Sequence, residues 1–242
     1  MNFDDLRKLH QKKYREAFGF FLVEGEHLVL ELQKAAGLDP RLRASELYVT
    51  PEHAQWRSPF PVHVISSRQM AQLSETRTPQ GLVARVPILA PLPARAGERA
   101  ICLFEIQDPG NLGTILRTLA WFGGFRCLLT PGSVDPCNAK VLRASAGAVF
   151  HVPVETEVAL ATLPGRYGRV ACLDIAGDSL QEPGFRDFRC YLFGNEARGV
   201  PRDALAALDH ASFTIPGSGA IESLNLATAV NVCVYEVARQ PR

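Results

Sequence analysis

Short apolar runs alternate with helical segments along the second half of this 242-residue chain, and that alternation restricts the fold more than any other feature. Strands that are buried on both faces read as continuous apolar runs, which is typical of parallel sheets covered by helices. The alternation therefore predicts an α/β domain built on a mostly parallel sheet. The predicted strands are residues 100–105, 125–129, 170–174, 190–193 and 212–215.

Residues 85–99 contain three prolines and interrupt the periodic pattern, so we place a domain boundary there. Two domains suit the length, since a domain usually has roughly 100 to 150 residues. We predict a small α/β domain over residues 1–88 and a second domain over residues 97–242. For the first domain the pattern predicts strands at 20–23, 47–50, 62–65 and 82–86, with helices at 26–36 and 66–73.

The formal net charge of +1 gives no overall sign of a nucleic-acid partner. A local basic patch lies near the amino terminus, but taken alone it fits the solvated face of an amphipathic helix better than a binding site. The patch consists of Lys8, His10, Lys12, Lys13 and Arg15.

The six cysteines are far apart, with no C-x-x-C pair, so we predict reduced thiols in the core. The histidines are scattered without metal-ligand spacing, and we expect no metal site. No apolar run is long enough to cross a bilayer, and the first fifteen residues lack the apolar core of a signal peptide. We therefore expect a cytoplasmic protein without a membrane partner.

Three polar segments follow predicted strands, where an open parallel sheet binds its ligands. In the first, a Pro-Gly turn enters a helix. Asn111 is a natural cap for that helix, Gly113 allows close backbone approach, and Arg117 offers a planar fork of donors suited to phosphate. For this segment alone, a capped surface helix with a solvated arginine is the preferred interpretation.

In the second segment Gly194 and Gly199 frame Glu196 at the end of a strand. The segment matches neither a dinucleotide fingerprint nor a P-loop, so a nicotinamide-dependent oxidoreductase has no support here. In the third segment a Gly-Ser-Gly loop leads to Ser223 and Asn225, which are natural caps for a helix that begins near Leu226.

In this order the three segments resemble the signature motifs of the SPOUT superfamily, in its SpoU or TrmH-type RNA ribose methyltransferase branch. The segments at 129–136 and 140–147 are similar to the region between those motifs, and those at 21–25 and 78–81 to an L30e-like RNA-binding domain. One position departs, because Gly217 stands where the family commonly has methionine. The matching motif positions are Asn111, Gly113, Arg117, Phe193, Gly194, Glu196, Gly199, Ile215, Pro216, Gly219, Ser223, Leu224 and Asn225.

The resemblance implies an L30e-like RNA-binding domain followed by a trefoil-knotted domain that works as a homodimer with S-adenosylmethionine. The implied reaction is ribose 2'-O-methylation of RNA, with ribosomal RNA as the expected substrate and transfer RNA as the alternative. The implied catalytic residues are Asn111, Arg117, Glu196, Ser223 and Asn225. The implied cofactor-binding residues are Thr130, Gly132, Gly194, Ile215 and Leu224.

Because arginine stays protonated in proteins, we expect Arg117 to clamp a phosphate or the developing alkoxide rather than to act as a base. Glu196 is expected to anchor a neighbouring loop or an arginine, and Gly194 to leave room for backbone contact with the ligand. A protein that binds RNA without catalysis remains the main alternative from another functional class.

Overall fold

The structure is a computed structural model, and it describes residues 1–239. Its strands, in chain order, are β1 (Phe20–Glu24), β2 (Glu46–Val49), β3 (Val62–Val64), β4 (Leu82–Pro87), β5 (Arg99–Leu103), β6 (Phe125–Leu129), β7 (Val154–Glu155), β8 (Val170–Ser179), β9 (Cys190–Phe193) and β10 (His210–Thr214). Its α-helices are α1 (Phe3–Lys8), α2 (Lys12–Phe18), α3 (Glu26–Leu38), α4 (Ser67–Leu73), α5 (Pro109–Phe122), α6 (Ala139–Ser145), α7 (Leu163–Tyr167), α8 (Arg202–Ala206) and α9 (Leu226–Ala238).

The chain forms two compact units, and the first combines Met1–Ala90 with Asp135–His151. Its four-stranded sheet has the order β1-β4-β2-β3, in which β4 is antiparallel to both of its neighbours and β2 is parallel to β3. The helix α3 buries Leu28, Val29, Leu32, Ala35 and Ala36, a spacing that places them on one helical face. The sheet and this face form the core of the unit.

Residues 135–151 are a late segment of the chain, yet they pack into the first unit. Leu142 of α6 belongs to the same buried apolar cluster as the strands and α3. The following turn fits closely against α3, because a Cβ on Gly147 would lie 2.6 Å from the Cβ of Glu31. The first unit is therefore built from two separate parts of the sequence.

The second unit combines Pro91–Val134 with the described residues from 152 to 239. Its six-stranded sheet has the order β10-β8-β9-β5-β6-β7, and all its strand pairs are parallel. The inner strands β5 and β9 are almost entirely buried, as continuous apolar runs predict. Since the strands are parallel, the loops that follow β5, β6, β9 and β10 all leave the same edge of the sheet.

The predicted parallel sheet and its five strands are confirmed, as are the strands and helices expected in the first unit. The two-residue strand β7 was missed because it is too short to show a pattern. The pairing of β8 with β10 also shifts register between Ser212 and Phe213, which the sequence did not indicate. Within residues 1–239 no helix is both long and apolar enough to cross a membrane.

Candidate active site at the carboxyl edge of the parallel sheet

The helix α5 begins one turn before the residue expected to cap it. Asp108 is the N-cap, and its side chain accepts a hydrogen bond of 2.7 Å from the backbone N–H of Asn111. Pro109 occupies the first helical position, where its missing N–H costs nothing. The prediction that Asn111 caps this helix is therefore wrong, and its side chain is available for other contacts.

A directional chain of hydrogen bonds joins one residue from each of the three motifs. The Nδ2 of Asn225 donates to the Oδ1 of Asn111 over 3.0 Å, and the Nδ2 of Asn111 donates to the Oε1 of Glu196 over 3.2 Å. The Oδ1 of Asn225 accepts from the backbone N–H groups of Ala227 and Thr228, so Asn225 caps α9 as predicted. These backbone donors fix the orientation of both amides, and the chain ends on a carboxylate.

The carboxylate of Glu196 also faces the loop between β5 and α5. The backbone N–H groups of Gln107 and Asp108 lie 3.5 Å from its two oxygens, which is the long end of hydrogen-bond range. Its negative charge therefore lies beside the amino terminus of α5, where the helix dipole favours an anion. Glu196 thus links the loop after β9 to the loop after β5.

Asn195 determines the shape of the loop that carries Glu196. Its backbone pairs with Gly199 in both directions, and its Oδ1 accepts from the backbone N–H groups of Ala197 and Arg198. Its Nδ2 donates to the backbone oxygen of Glu105 over 2.8 Å. Only 7% of Asn195 is exposed, so these bonds form in a nearly dry environment. The sequence analysis did not single out Asn195, because only its position next to Glu196 indicates a role.

Gly194 is required by the backbone of its own loop. A Cβ at this position would lie 2.4 Å from the carbonyl carbon of Gly199 and 2.7 Å from the nitrogen of Val200. Both neighbours are backbone atoms, which cannot rotate away as a side chain can. The sequence predicted a glycine here to leave room for a ligand. The structure gives a different reason, because the backbone of Gly199 and Val200 occupies the space that a side chain would need.

Glu105 lies two residues beyond the end of β5 and adopts an uncommon backbone conformation, with a φ of 48°. Its backbone N–H donates to the Oγ1 of Thr130 over 2.8 Å, and its carboxylate pairs with Arg198 at 2.6 Å. Thr130 is 2% exposed, so its hydroxyl serves this contact. The carbonyl of Gly132 accepts from the Nε2 of Gln107 over 2.7 Å. Nothing in the sequence indicated Glu105, since glutamate does not favour this conformation.

The loop after β10 presents apolar side chains and open backbone beside the hydrogen-bond chain. Leu224 is 43% exposed and Ile215 is partly buried. Ser223 is exposed and forms no hydrogen bond within residues 1–239. A Cβ at Gly217 would meet nothing within 4 Å, so the position has space for a side chain such as the methionine that the family commonly has there.

Arg117 does not join the hydrogen-bond chain. It lies six residues beyond Asn111, about 9 Å along the axis of α5. Its exposed side chain lines a concave surface between α5 and α9, and it forms no ion pair with any residue from 1 to 239. The other residues that line this surface are Thr114, Thr118, Trp121, Phe122 and Asn231.

The basic patch at the amino terminus is largely neutralised within the first unit. Arg15 is 6% exposed and binds Asp135 through both Nε and Nη2. His10 contacts Glu75 at 3.0 Å, and Lys8 pairs with an aspartate one turn before it. Lys8, Lys12 and Lys13 are exposed, as the solvated-helix interpretation predicts, whereas Arg15 is buried and does not belong to that solvated face.

The cysteines in the described part of the chain are mostly core thiols, as the sequence predicted. Five of the six thiols are buried, and burial raises the pKa values of Cys127, Cys172 and Cys190 to about 12 each. Such thiols stay protonated at neutral pH and are poor nucleophiles. No group of three or more potential metal ligands occurs within residues 1–239.

Comparisons with known proteins agree with this architecture. The model of the SpoU rRNA methylase family matches residues 98–235, and that of the MRM3-like substrate-binding domain matches residues 4–84. A Bacillus subtilis 23S rRNA (guanosine(2553)-2'-O)-methyltransferase is 32% identical over 96% of this chain and 94% of its own length. An uncharacterised tRNA/rRNA methyltransferase from Synechocystis is 34% identical over 97% of this chain and 89% of its own length.

Solved structures share the fold over nearly the whole chain. A TrmH-family protein from Porphyromonas gingivalis superposes with a TM-score of 0.82 at 30% identity, covering 97% of this chain and 96% of its own. An rRNA methyltransferase from Sinorhizobium meliloti, solved with S-adenosylmethionine bound, gives 0.81 at 25% identity, covering 97% and 93%. The fold is that of the SPOUT methyltransferases. The chain belongs to the SpoU rRNA methylase family.

Proposed function

We propose that this protein transfers a methyl group from S-adenosylmethionine to a ribose 2'-hydroxyl of ribosomal RNA. The observation that carries the proposal is the hydrogen-bond chain from Asn225 through Asn111 to Glu196, because it joins all three motifs at the ligand-binding edge of a parallel sheet. The relative from Bacillus subtilis, whose name specifies 2'-O-methylation of 23S rRNA, supports the reaction and the substrate class.

The residues around the site fit the cofactor. An adenosine with a methionine tail needs apolar surface together with a few well-placed polar groups. The exposed Leu224, the partly buried Ile215 and the exposed backbone at Gly132 and Gly217 are groups of this kind, and we propose that these loops hold it. When bound, S-adenosylmethionine supplies a methyl group that is already activated by its sulfonium.

The protein's own residues then have to position a weak nucleophile and stabilise the charge that it develops. We propose that the ordered amides of Asn111 and Asn225 orient the ribose, with Ser223 as an additional hydroxyl contact. Arg117 carries a permanent positive charge and would bind the adjacent phosphate or the developing alkoxide. Glu196 would act by holding the amide of Asn111 in place.

We propose further that the protein works as a homodimer through the surface formed by α5 and α9. Trp121 on this surface is 84% exposed and Tyr235 is 59% exposed, which is unusual for large aromatic side chains outside an interface. Arg117 precedes Trp121 by four residues and so shares its helical face. Light scattering should give twice the chain mass for the wild type, and Trp121→Glu should lower it to one chain.

We also propose the trefoil knot that the family resemblance implies, and a cytoplasmic location, which would bring the protein to its proposed ribosomal RNA substrate. Transfer RNA is the second candidate substrate, since the name of the Synechocystis relative includes it. Labelled methyl transfer to purified ribosomal RNA and to bulk transfer RNA separates the two. We expect label in ribosomal RNA, and label in transfer RNA alone would overturn the substrate assignment.

Binding of S-adenosylmethionine distinguishes a methyltransferase from a protein that binds RNA without catalysis. A ligand that binds only the folded state raises the melting temperature. We expect S-adenosylmethionine to raise it and NAD to leave it unchanged. A protein that binds RNA but shows no shift with S-adenosylmethionine would belong to the non-catalytic class.

A further inference from the structure

The segment from 135 to 151 lies in the second half of the sequence but belongs to the first compact unit. Two features fix it there. The carboxylate of Asp135 is bound by the buried guanidinium of Arg15, and Leu142 lies in the core of the unit at 2% exposure. The helix α6 is therefore held rigidly by the unit that matches a substrate-binding domain.

The outward face of α6 carries two cations, Lys140 and Arg143. They are three residues apart, which places them side by side on the helix surface. Both are exposed, and neither forms an ion pair with any residue in the described part of the chain. Of the twelve other lysines and arginines of the unit, seven have a carboxylate partner among the described residues. Those paired cations are Arg7, Lys8, Lys12, Arg15, Lys34, Arg41 and Arg85.

A third cation lies in the loop next to this helix. Arg143 lines the same recess as Glu75, and the exposed Arg77 follows Glu75 by two residues. The carboxylate of Glu24 holds this loop by accepting hydrogen bonds from the hydroxyls of Ser74 and Thr76, with a third of 3.0 Å from the backbone of Glu75. Arg77 in this loop and Lys140 and Arg143 on α6 are therefore carried by two segments that are both held in place by the first unit.

We propose that Lys140 and Arg143 of α6 bind the phosphate backbone of the substrate RNA, as part of the substrate-binding unit and alongside the loop of Arg77. Unpaired cations on a rigid support lose little conformational entropy on binding phosphate, and arginine's planar fork suits it. The inference rests on the proposed function for the identity of the RNA. It assigns an RNA-binding role to residues 135–151, although they lie within the range 98–235 that matches the methylase family.

The test measures how salt weakens binding of deproteinised ribosomal RNA to the full-length protein. Each phosphate contact that is lost reduces the slope of log affinity against log salt by about 0.7 to 0.9. The double variant Lys140→Ala/Arg143→Ala should therefore reduce the slope by about 1.4 to 1.8. Its melting temperature and its affinity for S-adenosylmethionine should equal those of the wild type, since both side chains are exposed.

The matched control is Arg43→Ala/Arg57→Ala, which removes two exposed arginines of the same unit that form no ion pair within residues 1–239. Its slope should equal that of the wild type. An unchanged slope for the α6 variant, or an equal loss in the control, overturns the proposal. Failure of the wild type to transfer methyl groups refutes the proposed function instead, because the slope reports binding alone.

Discussion

Replacing Gly194 with alanine should displace the loop that carries Glu196. The new Cβ would lie 2.4 Å from the carbonyl carbon of Gly199, whereas ordinary contacts begin near 3.4 Å, so the backbone has to move by about 1 Å. That movement breaks the two backbone hydrogen bonds between Asn195 and Gly199, which measure 3.0 and 2.9 Å. Each contributes about 1 kcal/mol, and overpacking that remains adds up to about 2 kcal/mol.

A total of about 2 to 4 kcal/mol corresponds to a loss of about 30-fold to 1,000-fold in affinity for S-adenosylmethionine, if the loop must regain its shape to bind. Isothermal titration calorimetry measures this directly. The control is Gly165→Ala in α7, away from the proposed cofactor site, where a Cβ would meet nothing within 4 Å and affinity should stay within about twofold of the wild type. A Gly194→Ala protein that binds the cofactor as tightly as the control does would refute the reasoning.

Three further variants test the second unit. Glu98→Ala removes the two hydrogen bonds that Glu98 accepts from the buried guanidinium of Arg126, which keeps Glu155 as a partner, and chemical denaturation should show a loss of about 1.5 to 3 kcal/mol. Desolvation raises the pKa of Glu155, but hydrogen bonds from Arg166 and Arg126 outweigh it and hold that pKa below the ordinary 4.5. The ionised carboxylate therefore stabilises the fold above about pH 4.5, and this stabilisation is lost as the pH falls further. The melting temperature of Glu155→Gln should therefore fall less than that of the wild type between neutral pH and about pH 4. Asn195→Ala removes three side-chain hydrogen bonds of about 1 kcal/mol each and should slow methyl transfer about 100-fold in a single-turnover assay, whereas an unchanged rate would separate this loop from catalysis.

Much of the fold was predictable because buried parallel strands produce continuous apolar runs. The strand at 125–129 matches β6 at both ends, and the helix expected near Leu226 begins at that residue. The packing of residues 135–151 was not predictable, since the apolar face of α6 looks the same whichever core it enters. The periodicity of apolar residues predicts that one face of a helix is buried, but it does not predict which other elements that face packs against.

The candidate site was predictable at the level of motifs but not of contacts. Asn111, Glu196 and Asn225 were selected by resemblance, and their hydrogen-bond chain depends on loops that no periodicity describes. The cap at Asp108 had a local signal, because an aspartate before a proline commonly starts a helix. Glu105 had none, since its conformation is imposed by tertiary contacts with Asn195 and other residues.

The most direct test of the proposed reaction identifies the methylated atom and the residue that it requires. Ribosomal RNA is incubated with the protein and labelled S-adenosylmethionine, digested to nucleosides and separated. The wild type should yield label in a 2'-O-methylnucleoside, and Arg117→Ala should yield none while binding the cofactor normally. Label in a methylated base, or an Arg117→Ala protein that transfers methyl groups at the rate of the wild type, would contradict the account.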